Sequence, residues 1–208
     1  MNYTLLVEQN FGGVILRGGG GGLELVERGS GLCVRPRFAG CKKIARRGPL
    51  AKAMGRAATV VDATAGFGGD SVLLARMGFC VTAVERHPAI AALLGDAVAR
   101  STDPRVNTVR VHCADSCEFL GALQPPADVV YLDPMFPARR KTSALPAKEM
   151  QVLRRIAFRC DVDALLHAAR NSGAGRVVLK RPPEAPAADC DLVFGGKLAR
   201  YEVYLRRR

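Results

Sequence analysis

The sequence predicts an α/β fold with a mainly parallel sheet of seven strands, an antiparallel hairpin at its C-terminal end, and a small β-rich N-terminal extension. From about residue 49 onward, short apolar runs alternate with helical stretches, which is typical of parallel strands joined by crossover helices. Two later apolar runs flank Gly195-Gly196, as in a hairpin. Residues 1–48 hold short apolar stretches separated by glycines, which indicates small hairpins. We therefore expect an N-terminal extension over residues 1–48 and a main domain over residues 49–208.

The individual elements follow from apolar patterning and composition. Short strands of the extension are expected at residues 4–7, 14–16 and 23–26. Parallel strands are expected at residues 59–63, 81–85, 106–111, 128–132 and 176–180. Helices are expected at residues 70–77, 88–100 and 148–169, and the terminal hairpin at residues 191–194 and 201–205. Five parallel strands followed by such a hairpin form the architecture of Rossmann-like class I methyltransferases, although a fold alone does not establish a function.

Composition and cysteine usage exclude several classes of protein. Apolar residues make up 49% of the chain and charged residues 24%, a balance typical of a folded domain. Each apolar run is interrupted well before the roughly 18 residues of a membrane span, and no signal-peptide pattern opens the chain. The seven cysteines are scattered without a paired C-x-x-C spacing. We therefore expect a cytoplasmic protein with reduced thiols, no membrane association and no bound metal.

Positive charge is concentrated in one segment of the chain. The formal net charge is +12, and the stretch from Arg28 to Val61 holds nine basic residues and no acid. A short run of charge is often only a solvated surface, but a segment so one-sided favours nucleic acid as the partner. Within it, the basic pairs Lys42-Lys43 and Arg46-Arg47 are the candidate RNA contacts.

A glycine-rich turn and three acids indicate a nucleoside-containing cofactor. Gly66, Gly68 and Gly69 come directly after the first parallel strand and before a helix, where the backbone can approach a ligand closely. Glu85 ends the second strand, 23 residues beyond Asp62, where a carboxylate can accept both ribose hydroxyl protons. Asp115 follows the third strand and can accept a hydrogen bond from an adenine amino group. These residues fit S-adenosylmethionine (SAM), and the turn with Glu85 fits NAD equally well.

The fourth parallel strand runs into Asp133-Pro134-Met135-Phe136-Pro137, a stiff loop because two prolines fix its backbone. A base amino group is a poor nucleophile, since its lone pair is delocalised into the ring. Its attack on a methyl group requires acceptors for the amine protons, which the Asp133 carboxylate and the Pro134 carbonyl can supply. Phe136 can stack on the extruded base. The alternative is structural, with Asp133 as a helix cap and Phe136 in the core.

Further basic residues follow at the same predicted edge of the sheet. They are suited to hold the phosphates around the target base without reading its sequence. These candidate RNA contacts are Arg139, Arg140, Lys141, Lys148, Lys180 and Arg181.

With these residues assigned, the chain resembles the bacterial ribosomal RNA small subunit methyltransferase J family, guanine-N2 methyltransferases of 16S ribosomal RNA. The resemblance runs from about Leu23 to Tyr204. Its most specific stretch is residues 131–137, a variant of the Asn/Asp-Pro-Pro-aromatic motif, followed by Lys141, residues 143–145 and residues 148–150. Similar segments also lie at residues 61–66, 84–86, 93–94 and 180–182.

The resemblance implies SAM as the cofactor and 16S ribosomal RNA or the small ribosomal subunit as the partner. The implied cofactor contacts are Gly69, Asp70, Glu85, Arg86, Asp115, Ser116 and Asp133. Four features depart from the family's pattern. Gly69 stands where the family usually has arginine, Asp115 where it often has serine, Thr142 looks inserted, and the run of glycines at residues 18–22 is unfamiliar.

Several functions remain open on the residues alone. A dehydrogenase would share the glycine turn and Glu85 but would have no use for the Asp133 loop or the basic segment. A non-catalytic RNA-binding protein would need neither Asp133 nor Glu85. Related loops also serve in methylation of adenine N6 or of a protein glutamine, and only the basic segment and the resemblance favour ribosomal RNA over these.

Overall fold

The computed structural model describes residues 9–11, 13–40, 44, 47–134, 161–186 and 189–206. A small N-terminal sheet contains β1 Gln9–Phe11, β2 Val14–Gly19, β3 Gly22–Glu27 and β4 Cys33–Val34. The main sheet contains β5 Thr59–Asp62, β6 Cys80–Glu85, β7 Arg110–Cys113, β8 Val129–Leu132, β9 Arg176–Arg181, β10 Leu192–Gly195 and β11 Arg200–Leu205. The described helices are α1 Gly48–Met54, α2 Gly69–Arg76, α3 Pro88–Ala99, α4 Ser116–Ala122 and α5 Val162–Asn171.

The main sheet has seven strands in the order β10-β11-β9-β8-β5-β6-β7. Strands β5 to β9 pair in parallel, whereas β11 runs antiparallel to both β9 and β10. The predicted fold class is therefore confirmed, including the C-terminal hairpin and the β-rich N-terminal sheet. The strand predicted at residues 4–7 and residues 148–160 of the predicted helix lie outside the described residues. The prediction of one helix through residues 148–169 was wrong at Asp161, which is extended and whose side chain caps a helix that begins at Val162.

One strand prediction was wrong in position. The sequence places a strand at residues 106–111, but Val106–Thr108 forms a 3₁₀ turn and the strand begins only at Arg110. Asp103 begins this turn, because its side-chain Oδ1 accepts a hydrogen bond from the amide of Arg105 at 3.1 Å and its carbonyl accepts from the amides of Val106 and Asn107, at 3.0 and 3.2 Å. Local hydrogen bonds of this kind compete with strand pairing. The β-branched residues at this point therefore turn before they reach the sheet.

Both faces of the main sheet are covered, so successive residues of its central strands are buried on opposite sides. Val60 and Tyr131 pack into one core with α1, α2 and α3, whereas Val61 and Leu132 pack into a second core with α4 and α5. Strands of a parallel sheet that is buried on both faces are therefore continuously apolar, as in Val129–Leu132 of β8. This packing fixes the strand ends in space, and with them the side chains that follow.

The N-terminal sheet packs against α3. Val14 and Leu25 are fully buried in a cluster with Leu93 of α3. Phe67, within the glycine-rich turn, packs on the same cluster. Full burial of each aliphatic side chain contributes about 1.5–3 kcal/mol. The N-terminal sheet is therefore anchored beside the turn that precedes α2.

Candidate active site

Four parallel strands end side by side and place acids along one edge of the main sheet. Asp62 closes β5 and Glu85 closes β6. Asp115 and Asp133 follow the ends of β7 and β8 within two residues. Because these strands are parallel, all four acids lie at the carboxyl edge, where open α/β sheets bind their ligands.

The glycine-rich turn bends the backbone tightly at this edge. Gly66 and Gly68 have φ angles of 53° and 83°, in the left-handed region that favours glycine. The Gly68 amide donates a hydrogen bond to the carbonyl of Ala65 at 2.8 Å, and α2 begins at the next residue. A Cβ added at Gly69 would meet nothing within 4 Å. The turn therefore leaves open space beside the first residue of the helix.

Gly68→Ala is expected to destabilise the fold by about 2–4 kcal/mol, since a left-handed alanine is strained and a packed core resists an added methyl. The new Cβ would lie 2.3 Å from Cδ1 of Leu94, which is fully buried. Chemical denaturation would measure this loss. Gly69→Ala is the matched control, because it adds the same methyl to open space at a helical position. Equal stability of the two variants would contradict the expectation.

Glu85 is held in place by the backbone around it. Its Oε2 accepts a hydrogen bond from the Gly66 amide at 3.0 Å, and its Oε1 accepts one from the His87 amide at 2.7 Å. Burial raises the pKa of Glu85, and the two amide bonds oppose that rise. The carboxylate remains half-buried, so part of it faces the space at the sheet edge.

Asp115 caps the helix that follows it. Its Oδ1 accepts hydrogen bonds from the amides of Cys117 and Glu118, at 2.9 and 3.3 Å, and its Oδ2 lies 3.5 Å from Nη1 of Arg86. Ser116 donates to the carbonyl of Ala63 at 2.6 Å, which ties α4 to the end of β5. These two predicted cofactor residues thus also have structural partners.

Asp133 is fixed through both its backbone and its side chain. Its amide donates to Oγ1 of Thr64 at 2.6 Å, and its Oδ2 accepts from Nζ of Lys180 at 2.8 Å. Burial raises the pKa of Asp133 to about 6, although Lys180 opposes the rise. Pro134 is buried beside it, whereas Phe136 lies outside the described residues. The carboxylate is therefore an ion-pair partner near the sheet edge rather than a surface acid.

Lys180 lies between two carboxylates, in a setting that the sequence did not suggest. Besides Asp133, its Nζ donates to Oδ2 of Asp70 at 2.7 Å. The same oxygen accepts a hydrogen bond from the hydroxyl of Tyr131 at 2.6 Å. Although burial opposes its charge, the two carboxylates raise the pKa of Lys180 above its usual value. Lys180 and Asp70, predicted to contact RNA and cofactor respectively, thus contact each other.

Sequence reasoning missed Thr64 and Tyr131 as parts of this site. A tyrosine in an otherwise aliphatic buried strand was an available signal, because a buried phenol usually has a hydrogen-bond partner. Nothing local distinguished Thr64 from other polar residues near a turn.

Asp62 forms a buried site of its own beneath the edge. It is 1% exposed, accepts a 2.5 Å hydrogen bond from the hydroxyl of Ser71, and accepts a second from the amide of Thr64 at 3.1 Å. Burial raises the pKa of Asp62 to about 7, although the bond from Ser71 opposes this rise. Asp62 therefore joins α2 and the Thr64 turn to the end of β5.

The predicted RNA contacts are only partly described. Arg47 is exposed immediately before α1. Arg181 closes β9 and has Nη1 3.8 Å from Oε2 of Glu202, which is fully buried. The remaining candidates lie outside the described residues: Lys42, Lys43, Arg46, Arg139, Arg140, Lys141 and Lys148.

The described residues fit SAM as a ligand of this edge. The half-buried carboxylate of Glu85 can accept ribose hydroxyl protons, and Oδ2 of Asp115 offers an acceptor for the adenine amino group. The open space beside Gly69 lies at the start of α2, whose first amides favour a carboxylate such as that of the methionine moiety. The ribose, the adenine amino group and the carboxylate of the cofactor thus each have a candidate partner at this edge.

A cleft of about 690 Å³ lies elsewhere, between α5 and the end of β11, and none of the predicted site residues lines it. Among the described residues, no group of three or more His, Cys, Asp and Glu could hold a metal ion. No described helix is long and apolar enough to cross a membrane.

Comparison with known proteins identifies the family to which this chain belongs. The sequence profile of the SAM-dependent methyltransferase family matches residues 34–206. A ribosomal RNA small subunit methyltransferase J from Neisseria meningitidis serogroup C is 42% identical over 174 residues, which cover 75% of this chain and 68% of that protein. The chain belongs to the ribosomal RNA small subunit methyltransferase J family.

Two further comparisons agree with this membership. A methyltransferase J from Dechloromonas aromatica is 42% identical over 158 residues, covering 71% of this chain and 64% of that protein. The crystal structure of a SAM-dependent methyltransferase from Neisseria gonorrhoeae has 32% identity and a TM-score of 0.67, covering 88% of this chain and 78% of that one. As a member of the methyltransferase J family, this protein is a SAM-dependent enzyme. The predicted cofactor is thus confirmed, and the dehydrogenase and non-catalytic alternatives are wrong.

Proposed function

We propose that this enzyme transfers a methyl group from SAM to the exocyclic N2 amine of a guanosine in 16S ribosomal RNA, acting in the cytoplasm on the free RNA or the small subunit. The observation that carries the proposal is the Asp133 carboxylate, held at the end of β8 by Thr64 and Lys180. The class of substrate is supported by the relatives, which are ribosomal RNA small subunit methyltransferases J.

The residues around Asp133 prepare the amine for attack. Bound SAM supplies an activated methyl group on a sulfonium. The Asp133 carboxylate and the Pro134 carbonyl accept hydrogen bonds from the two N–H groups of the amine, which turns the nitrogen lone pair out of the ring and towards the methyl carbon, and S-adenosylhomocysteine is the leaving group. With a pKa of about 6, Asp133 is ionised at neutral pH and still basic enough to take the proton that the amine loses. We further propose that Phe136 stacks on the guanine once it leaves its helix or loop.

The cofactor residues act by orientation. We propose that Glu85 binds the ribose, that Asp115, Ser116 and Arg86 flank the adenine, and that the turn from Gly66 to Gly69 approaches the methionine moiety. Most of the acceleration then comes from alignment of donor and acceptor in a site that excludes water.

Methyl transfer to RNA tests the proposed function directly. The enzyme would be incubated with labelled SAM and either unmodified small subunits or free 16S RNA, and the methylated base would then be mapped. We expect label on guanine N2 at one position. Label on adenine N6 or on a protein glutamine would contradict the proposed substrate while leaving the enzyme class intact.

The basic segment is proposed to bind the RNA backbone. Neutralising Lys42, Lys43, Arg46 and Arg47 to Gln is expected to weaken RNA binding by at least about 10-fold at moderate salt. It should also reduce the steepness of the slope of log K against log salt concentration by about three units. Each phosphate contact that is lost leaves its counterions on the RNA, so fewer counterions are released on binding. Filter binding at several salt concentrations measures both quantities.

A matched control exchanges basic residues at the opposite edge of the sheet. Arg110 begins β7 and Arg170 lies in the last turn of α5, and both are exposed and lie outside the basic segment. Their change to Gln should leave the affinity nearly unchanged. An unchanged salt slope in the fourfold variant would instead assign the basic segment to a solvated surface.

A further inference from the structure

The ammonium group of Lys180 lies between two carboxylates that come from different parts of the fold. It donates to Oδ2 of Asp70 at 2.7 Å and to Oδ2 of Asp133 at 2.8 Å. β9 carries Lys180, α2 carries Asp70, and Asp133 follows β8. The exposed fractions of the Lys180, Asp70 and Asp133 side chains are 25%, 24% and 37%, so water screens these contacts only in part. Two of the three ammonium donors are therefore engaged within the protein.

Asp70 is itself held by a rigid partner. Its Oδ2 accepts the hydroxyl of Tyr131 at 2.6 Å, and the Tyr131 ring is completely buried in β8. Burial and the charge of Asp70 raise the pKa of the Tyr131 phenol, so it remains a donor at every physiological pH. Because the buried Tyr131 ring is fixed in the core, its hydroxyl fixes the position of the Asp70 carboxylate, which in turn holds the ammonium group of Lys180.

The backbone of Asp133 is fixed separately from its carboxylate. The Asp133 amide donates to Oγ1 of Thr64, whereas the carboxylate is oriented by Lys180. A carboxylate has a second oxygen, so one can be held by the ammonium group while the other accepts a proton from an amine. This division of contacts is what an oriented acceptor requires.

Two charges near Asp133 have opposite effects on the ionisation of its carboxyl group. Lys180 favours the ionised carboxylate, whereas Asp70 disfavours it. Within the described part of the chain, the charge of Asp133 also acts on Asp62 of β5, Tyr131 of β8 and Tyr201 of β11. Without Lys180, two carboxylates would face each other in a partly buried site, and one would take up a proton near neutral pH.

We propose that Lys180 is a positioning residue for methyl transfer, which holds Asp133 oriented and ionised as the acceptor for the target amine, and that Asp70 and Tyr131 hold Lys180 in turn. The role of the acceptor rests on the proposed function, whereas the ion-pair arrangement does not. In this role Lys180 acts through Asp133, and RNA phosphates are bound by other residues. The placement thereby revises the expectation that Lys180 contacts RNA.

The arrangement is tested first without substrate or cofactor. Protein labelled with ¹³C at aspartate carboxyl groups would be titrated by NMR, with the Asp133 signal assigned from Asp133→Asn. In Lys180→Met the pKa of Asp133 is expected to rise by about one to three pH units, as on loss of an adjacent opposite charge. In Asp70→Asn it is expected to fall, because a like charge is removed. Opposite shifts are not expected from general disturbance of the fold, and an unchanged pKa in Lys180→Met would overturn the proposal.

The second test follows turnover, on whichever RNA the natural enzyme methylates. Lys180→Met is expected to lower kcat at pH 7 by roughly 10-fold or more, with KM for RNA changed less than twofold. The acidic limb of the pH profile of Lys180→Met should shift to higher pH, so its activity recovers as the pH rises. Lys180→Arg should retain part of the natural rate. A raised KM with a reduced salt slope and unchanged kcat would instead make Lys180 a phosphate contact. Absence of RNA methylation by the natural enzyme would refute the proposed function and leave the NMR result to judge the arrangement.

Discussion

Asp133→Ala is expected to lower the turnover number of methyl transfer by roughly 10²- to 10⁴-fold, the range that a positioned proton acceptor contributes. The variant loses the carboxylate proposed to accept from the target amine but keeps the Asp133 amide that donates to Thr64. It also leaves Lys180 paired with Asp70. The fold should therefore persist, and calorimetry should still detect binding of S-adenosylhomocysteine. Single-turnover kinetics with labelled SAM measures the loss.

A natural control lies at the other end of the same strand. Asp128 directly precedes β8 as Asp133 directly follows it, and Asp128 accepts hydrogen bonds from the amides of Ala58 and Thr59 at 2.8 and 2.9 Å. Asp128→Ala should reduce stability and leave turnover per folded molecule nearly unchanged. Asp133→Asn separates charge from hydrogen bonding, because it retains an acceptor oxygen. Near-normal turnover of Asp133→Ala would refute the catalytic assignment.

Glu85→Ala is expected to weaken binding of SAM and S-adenosylhomocysteine by roughly 10- to 100-fold. Hydrogen bonds to a charged group contribute about 1.5–3 kcal/mol, and loss of the carboxylate also releases the amides of Gly66 and His87. Isothermal titration calorimetry measures the affinity directly. Because the free protein also loses the two amide contacts of Glu85, its thermal unfolding is followed in parallel and the affinity is measured well below the unfolding transition.

Glu118→Ala provides the comparison for Glu85. Glu118 is an exposed carboxylate in the first turn of α4, close in the chain to Asp115 and Ser116. Its removal should leave cofactor affinity within about twofold, since an exposed acid at a helix start contributes only a few tenths of a kcal/mol to the helix. If both variants bound the cofactor as the natural protein does, the ribose contact would have to come from another residue.

The fold of the main domain was predictable because its signals are local. Buried parallel strands leave continuous apolar runs, and the glycines after β5 mark a turn whose left-handed conformations at Gly66 and Gly68 suit no other residue as well. The prediction for one strand was wrong because Asp103 begins a turn in the chain, and the strand starts only at Arg110. The boundary at residue 48 between extension and main domain stays a prediction.

The acids at the strand ends were also predictable, because the carboxyl ends of parallel strands meet at one edge whatever the strand order. Glu85 alone could not separate SAM from NAD, since both cofactors carry a ribose. Family membership removed that ambiguity, and the residues of the Asp133 loop carry the proposal of amine methylation.

The sequence by itself determined the fold class and the edge of the sheet at which the candidate acids lie. Only the tertiary structure decided which side chains meet there. Lys180 contacts Asp70 and Asp133 across 110 and 47 residues of chain, and Asp133 contacts Thr64 across 69. Such pairings depend on the order β9-β8-β5 and on its register, which helical and strand periodicities do not encode. The same basic residue that looked suited to RNA phosphate is, for this reason, the ion-pair partner of the proposed catalytic acid.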